Sequence, residues 1–277
     1  MTVGICGLGL IGGSMAKAYK AAGHTVYGYD KDKSALGYAE LAGITDNVLT
    51  NENAHECDLL LIALYPQAAI KYLCELAPFL QKSKTVVIDL CGTKKQICDA
   101  GFELAKQYGF TFVGGHPMAG TQYSGIKYAK ETLFRNAPMV LVPPVYDDVY
   151  FLDNIKQLLS PAMFGKITVT TAEQHDTMIA FTSQLAHVVS NAYVKSPTAQ
   201  NHKGFSAGSY KDMTRVAWLN EYMWTELFLE NKEPLLFEID AIIHSLCEYR
   251  DAIKAEDKQA ICELLRDGRI AKEKVDG

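Results

Sequence analysis

The run GGHPMAGT at 114–121 sets a histidine among small residues and is the chain's clearest candidate for proton transfer. An imidazole titrates near neutrality, which suits His116 to a general base that takes a proton from an alcohol as hydride departs. Its small neighbours would let a ligand come close; on local sequence alone they equally suit a histidine that buttresses a glycine-rich turn. A second candidate lies on a helical pattern. Thr177, Ala180, Gln184, His187 and Asn191 recur at three- and four-residue spacing beside an apolar stripe of Met178, Phe181, Leu185 and Val188. That pattern predicts a helix with one face in a core and the other lining a polar pocket. Spacing alone leaves His187 open between ligand contact and structural residue. The third candidate is SAGSYKDMTR at 206–215, followed by Trp218 and Trp224. Lys211 and Arg215 there either meet a carboxylate, the guanidinium in bidentate fashion, or form a solvated helix face.

A fourth pattern binds rather than reacts. GLGLIG at 7–12 is a GxGxxG that follows a strand candidate and opens a helical one. In such a loop Gly7 permits the tight turn, Gly9 lets backbone approach a pyrophosphate, and Gly12 allows close helix–strand packing. The helix N-terminus adds unpaired N–H groups and the positive end of its dipole. An acidic residue closing the second strand completes the pattern, and Asp30 stands there. It reads either as the acceptor for a ribose diol or as a solvated residue of the turn DKDK. As an acceptor it would repel a 2′-phosphate and favour NAD over NADP, although Lys31 and Lys33 pull the other way.

Such residues need a scaffold to bring them together. Through residue 171 short apolar runs alternate with helical patterns. Strands are predicted at 3–6, 25–30, 59–64, 85–90, 110–114, 139–142 and 167–170, with helices between them such as 14–22, 66–80 and 94–107. Continuous apolar runs fit strands covered on both faces of a parallel sheet. Pro66 suits the first turn of its helix, and Thr93 with Gln96 reads as a capping box. The rhythm predicts an α/β, doubly wound domain of Rossmann type over 1–171. From 172 to 277 the pattern is helical, opened by a second capping box at Thr171 and Gln174. Its clearest stripe is Leu235, Ile239, Ile242, Leu246, Tyr249 and Ile253. Ordinary core packing accounts for that stripe, but several amphipathic helices in so short a segment bury their faces better against a second copy. An all-α substrate and dimerisation domain, and with it a homodimer, is predicted.

In this order, GLGLIGGS at 7–14, GGHPMAGT at 114–121, KDMTR at 211–215 and FLENKE at 228–233 closely resemble the prephenate dehydrogenase family, over essentially the whole chain. That family is the tyrosine-biosynthesis branch that includes arogenate and cyclohexadienyl dehydrogenases. The resemblance implies an NAD-dependent oxidative decarboxylation. The C4 hydroxyl of prephenate is oxidised by hydride transfer, and loss of the ring carboxylate as CO2 gives 4-hydroxyphenylpyruvate. By the matched motifs, His116 is the catalytic histidine at the C4 hydroxyl and Arg215 binds a substrate carboxylate. His187 falls at a substrate-binding histidine, and Thr121 and Trp224 fall at pocket-lining positions. Lys211 is expected to add a second cation for a dicarboxylate substrate. The cofactor is expected along Gly7, Leu8, Gly9, Leu10, Ile11 and Gly12, at Asp30, and at Ala63, Leu64 and Gly92.

Two positions depart from the family pattern. Gly92 stands where some relatives carry a serine that helps hold the substrate hydroxyl, so that contact is absent or supplied by Thr93 or water. Gln122 replaces a glutamate of some relatives and removes an ion-pair gate. Arogenate remains an alternative substrate. A β-hydroxyacid or imine-reducing dehydrogenase is the rival reading, although such enzymes generally place lysine or aspartate where this chain has His187. A non-catalytic NAD(H) sensor is the reading from another class.

Composition sets the outer bounds. The 277 residues carry 27 Lys+Arg against 32 Asp+Glu, a net charge of −5 that argues against nucleic acid or an anionic membrane as partner. The same charge makes a local cationic pocket necessary for a dicarboxylate. At 48% hydrophobic and 21% charged, the chain is neither disordered nor compositionally biased. No run approaches the roughly 20 apolar residues that span a bilayer. The start lacks a basic region and a cleavage motif. Cys6, Cys57, Cys74, Cys91, Cys98, Cys247 and Cys262 are odd in number and form no CxxC, against a disulfide framework or a zinc site. A cytoplasmic enzyme without metal is expected. The length leaves no room for a fused mutase or regulatory domain, so feedback is expected at the active site or the dimer interface.

Overall fold

The computed structural model describes residues 1–121 and 123–276. Its strands are β1 (Thr2–Cys6), β2 (Thr25–Tyr29), β3 (Asn47–Val48), β4 (Leu59–Ile62), β5 (Val86–Asp89), β6 (Thr111–Pro117), β7 (Pro138–Val142) and β8 (Lys166–Val169). They form one sheet in the order β3-β2-β1-β4-β5-β6-β7-β8. The first six run parallel, β7 pairs antiparallel with β6, and β8 runs parallel to β7. The order proceeds outward from β1 in both directions, which opens a crevice at the carboxyl edge of β1 and β4.

Alternating side chains explain why both faces are covered. Along β4 all four residues are buried. Leu59 and Leu61 enter the core that holds Val3, Ile5 and Ile88, while Leu60 and Ile62 enter the opposite one with Cys6 and Val87. Burial of each such side chain contributes about 1.5–3 kcal/mol. Helix α1 (Leu10–Ala21) packs on the first face; α3 (Pro66–Leu76) and α4 (Lys95–Tyr108) pack on the second. Between them, α2 (Lys33–Leu41) follows β2, and α5 (Val149–Leu158) follows β7. The two-residue β3 at the sheet edge is exposed and has no apolar alternation to announce it. Strand β6 runs three residues beyond its predicted end because the pairing with β7 continues through His116↔Val140 and Pro117↔Met139. His116 therefore sits on a strand, not on the loop after it.

The caps divide. Thr171 accepts from the Gln174 N–H at 3.1 Å and starts α6 (Ala172–Ile179) as predicted. Thr93 does not cap α4, which begins after Lys94 with no cap from its own segment. Its hydroxyl instead donates to Glu230 at 2.6 Å, because the helical half covers this helix start.

That half contains α6, a π-helical turn at Ala180–Leu185, α7 (Ala186–Tyr193), α8 (Gly208–Thr214), α9 (Glu221–Glu230), α10 (Lys232–Lys254) and α11 (Lys258–Asp276). Along its first run the predicted faces are exchanged in part. Met178 and Phe181 are each 57% exposed, whereas Ala180 and Gln184 are buried. The i→i+5 bonding of a π turn adds a residue to the period, so a stripe counted at 3.6 residues drifts off the core. Leu235, Ile239 and Ile242 of α10 pack with Ala180, Leu185 and Phe228. Further along the same stripe, Leu246 and Ile253 are each 60% exposed. No described helix is long and apolar enough to cross a membrane.

Candidate active site

After β1 the chain turns through Gly7, whose φ of +91° favours glycine. A Cβ on Gly7 would lie 2.4 Å from the Ala63 carbonyl oxygen, and one on Gly12 1.8 Å from that of Gly7. At Gly9 an added Cβ would meet nothing within 4 Å. Loop and helix thus press together at Gly7 and Gly12 and leave open space over Gly9. Among the described residues no side chain caps α1, so its first-turn N–H groups at Leu10, Ile11 and Gly12 keep their donors for an anion. The Asp30 carboxylate accepts from the N–H groups of Leu8 (2.7 Å) and Asp32 (2.8 Å). Both oxygens retain lone pairs for a diol. This cradle fits a dinucleotide. Ala63 and Leu64 both border Gly7, whereas Gly92 faces the helical half, 3.3 Å from Leu227 for an added Cβ.

At the carboxyl end of β6, a chain of polar contacts leads from Asp176 of α6 to His116. The ring Nδ1 of His116 lies 2.9 Å from Nε2 of His175, and Nδ1 of His175 lies 2.7 Å from the Asp176 carboxylate. A carboxylate only accepts, so His175 carries its proton on Nδ1 and presents a lone pair at Nε2. His116 then donates from Nδ1, and its Nε2 is left as an acceptor. Burial holds the His116 imidazole well below its ordinary 6.5, and charge at His175 and Lys94 adds to the effect. Burial lowers His175 too, partly offset by its bond to Asp176. Both rings are neutral near pH 7.

Beneath the strand lies an ion pair with no solvent access, Lys94 with Asp89. Burial pulls the Lys94 ammonium down, but Asp89, together with Cys91 and Cys98, offsets this and leaves its pKa above the ordinary lysine value. Lys94 Nζ donates to the Gly115 carbonyl at 2.7 Å, and the Gly115 N–H donates to Asp89 at 3.2 Å. The peptide groups immediately before His116 are therefore held from both sides. A Cβ on Gly114 would stand 2.4 Å from Cys98 Sγ, and one on Gly115 2.6 Å from the Asp89 carbonyl oxygen. These glycines admit neighbouring core, not a ligand. Asp176 also receives the N–H groups of Lys94 (2.7 Å) and Lys95 (2.9 Å), so one carboxylate caps α4 and orients His175.

A second group forms around α7. The His187 ring stacks on Trp224 with centroids 3.7 Å apart, and its Nδ1 donates to the Ser183 carbonyl at 2.9 Å. Burial and, more weakly, Arg215 lower the His187 pKa, while the Ser183 bond opposes them. Arg215 opens the turn after α8 and is exposed; it makes no ion pair among the described residues. Lys211 on α8 is likewise exposed and unpaired there, and among the described residues Thr121 bonds to the backbone of Tyr123. Asn231 ties the two groups, donating to the Asp176 carbonyl and to Gln184 at 2.8 Å each. Gln122 lies outside the described residues.

His175, Asp176, Asp89 and Lys94 went unremarked in the sequence. The dipeptide His175-Asp176 in the first turn of a capped helix was the available clue.

Residues 15–167 match the family model described as prephenate dehydrogenase, nucleotide-binding domain, and residues 171–267 that described as prephenate dehydrogenase, dimerization domain. The chain belongs to the prephenate dehydrogenase family. It is 30% identical to a prephenate dehydrogenase of Bacillus subtilis, over all of this chain and 76% of that one. A prephenate dehydrogenase structure from Aquifex aeolicus, solved in complex with hydroxyphenyl propionate and NAD+, superposes with a TM-score of 0.81. It is 27% identical, covering all of this chain and 98% of that one. An arogenate dehydrogenase structure from Synechocystis also gives 0.81 at 26% identity, covering 99% and 100%. Within the two prephenate dehydrogenase domains, His116 falls in the nucleotide-binding match and His175 in the dimerization match. The contact between these rings thus crosses from one domain to the other.

Proposed function

We propose that this member of the family oxidises prephenate with NAD and releases CO2 to form 4-hydroxyphenylpyruvate. The observation that carries this reading is the acceptor lone pair on His116 Nε2, enforced by His175 and Asp176 beside a dinucleotide cradle. Gly7 to Gly12 and Asp30 would hold NAD, which supplies the hydride acceptor when bound. His116 accepts the C4 hydroxyl proton as the C–O bond gains double-bond character. The ring carboxylate then leaves as CO2, its bonding electrons complete the aromatic ring, and the C4 oxygen takes its proton back from His116. Arg215, with Lys211, supplies positive charge for the substrate carboxylates; His187 and Trp224 form the wall beside Arg215. Thr121 is assigned to the pocket rim. Gly92 brings no hydroxyl, and the proton of Thr93 is committed to Glu230. The Aquifex protein's complex with NAD+ and an aromatic acid supports this ligand pair.

The division of labour is placed at 171/172, with dinucleotide binding before it and substrate binding and dimerisation after it. A homodimer through the helical half fits the exposed apolar residues of α10. The test follows NADH at 340 nm with prephenate and NAD. Activity with arogenate but not prephenate would move the assignment to the arogenate branch. Inactivity with both would sink it.

A further inference from the structure

We propose that Glu226 and Glu230 of α9 form a clasp that positions the substrate wall against the cofactor edge during turnover. The inference deepens the prephenate reading and rests on it for its kinetic arm. α3 starts at Pro66, directly after the cofactor-edge residues Ala63 and Leu64, and Tyr65 offers it no side-chain cap. The missing cap comes from the other half of the molecule: Glu226 accepts the Gln67 N–H at 2.8 Å. A carboxylate there meets an orphan donor and the positive end of the helix dipole. One turn on, Glu230 accepts from Gln67 Nε2 at 2.8 Å and from Thr93 Oγ1 at 2.6 Å. Thr93 follows Gly92 on the other cofactor-edge segment, so one side chain holds both walls of the crevice. Leu227, between the two glutamates, closes over Gly92.

α9 also carries Trp224, which stacks on His187. With a helical repeat of 100° per residue, Glu226 and Glu230 fall within about 40° of each other and well away from Trp224. One face of the helix grips the nucleotide-binding half while another forms the pocket wall, and any slippage of the first moves the second. Burial raises the pKa of the half-buried Glu230, against its bonds from Thr93 and Gln67. A surface contact kept only for stability has no need to bring two glutamates side by side. Glu230 acts through Trp224 and is a positioning residue.

The experiment compares Glu230→Ala, Glu230→Gln and Thr93→Val with wild type in the full chain. Three readings are taken: kcat/KM for whichever of prephenate or arogenate wild type turns over, the melting temperature, and energy transfer from Trp224 to bound NADH. The transfer is measured with Trp218→Phe throughout, which leaves Trp224 as the sole tryptophan. Ala and Val variants are expected to lose about tenfold in kcat/KM, as slight misplacement of a substrate wall does. Energy transfer should fall with it, and NADH affinity should stay near wild type. Gln, whose carbonyl still accepts from Thr93, should restore most of both. Unchanged kcat/KM or unchanged transfer in the Ala and Val variants overturns the clasp. So does a Gln variant as impaired as Ala with a melting temperature lowered in parallel. If wild type oxidises neither substrate, the functional reading fails and the transfer measurement alone decides the clasp.

Discussion

His116 owes its chemistry to two neighbours. Asp176 sets the tautomer of His175, and His175 sets that of His116, so Nε2 of His116 carries a lone pair and no proton. Replacing His116 with Asn keeps a polar group but removes the proposed base. Turnover should fall by about 10²–10⁴-fold, while NAD binding, read by fluorescence quenching, stays close to wild type. The sign of the pH dependence follows from burial. A depressed imidazole pKa means that the proton-accepting form persists as the pH falls past the ordinary value, so the acid limb of kcat/KM should lie below pH 6.5. A limb at or above 6.5 would show that the ring is not neutralised as described. Arg215 stands exposed without an acidic partner among the described residues, so its charge is available to a ligand. Arg215→Ala should raise KM for prephenate with a smaller change in kcat; an unchanged KM places the carboxylate site elsewhere.

Two elements carry most of the positioning. Strand β6 is held at Gly115 by Lys94 and Asp89, and α4 receives its cap from Asp176 of α6. Removing one member of a buried pair leaves the other charge uncompensated. Lys94→Met should therefore lower unfolding free energy by about 3–5 kcal/mol in denaturant titration, and wild-type stability would show that the pair is dispensable. Both elements were visible as sequence patterns. Their ends were not: β6 outruns its apolar run because pairing with β7 extends it, and Thr93 turns from capping to bridging because Glu230 lies within reach. The π turn likewise depends on packing, and it exchanged the expected faces of His187's helix around Gln184 and Phe181.

At the scale of the molecule, the helical half has a small core. Ala180, Leu185 and Leu235 are its buried apolar members, while Phe237, Leu246 and Ile253 remain 60–71% exposed on α10. Leu246 and Ile253 share one face of α10, and an apolar face left exposed there is the surface assigned to the proposed dimer. Leu246→Glu should convert the dimer to monomer in light scattering; a wild-type chain that is monomeric at micromolar concentration would remove the premise. The match of residues 171–267 to a dimerization domain fits association through this half of the chain.

The linear sequence determined the strand–helix rhythm, the glycine loop with Asp30, the helical second half and the family, because each is written in contiguous residues at fixed spacing. It also brought His116, His187 and Arg215 to notice through their local motifs. Tertiary structure alone decided what surrounds them. His116 meets His175 across 59 residues, Lys94 meets Asp176 across 82, and Thr93 meets Glu230 across 137. Periodicity reports which face of an element is buried, but not which distant side chain waits there. His116 was legible in the chain as a candidate base; the groups that set its tautomer appear only when the two halves dock.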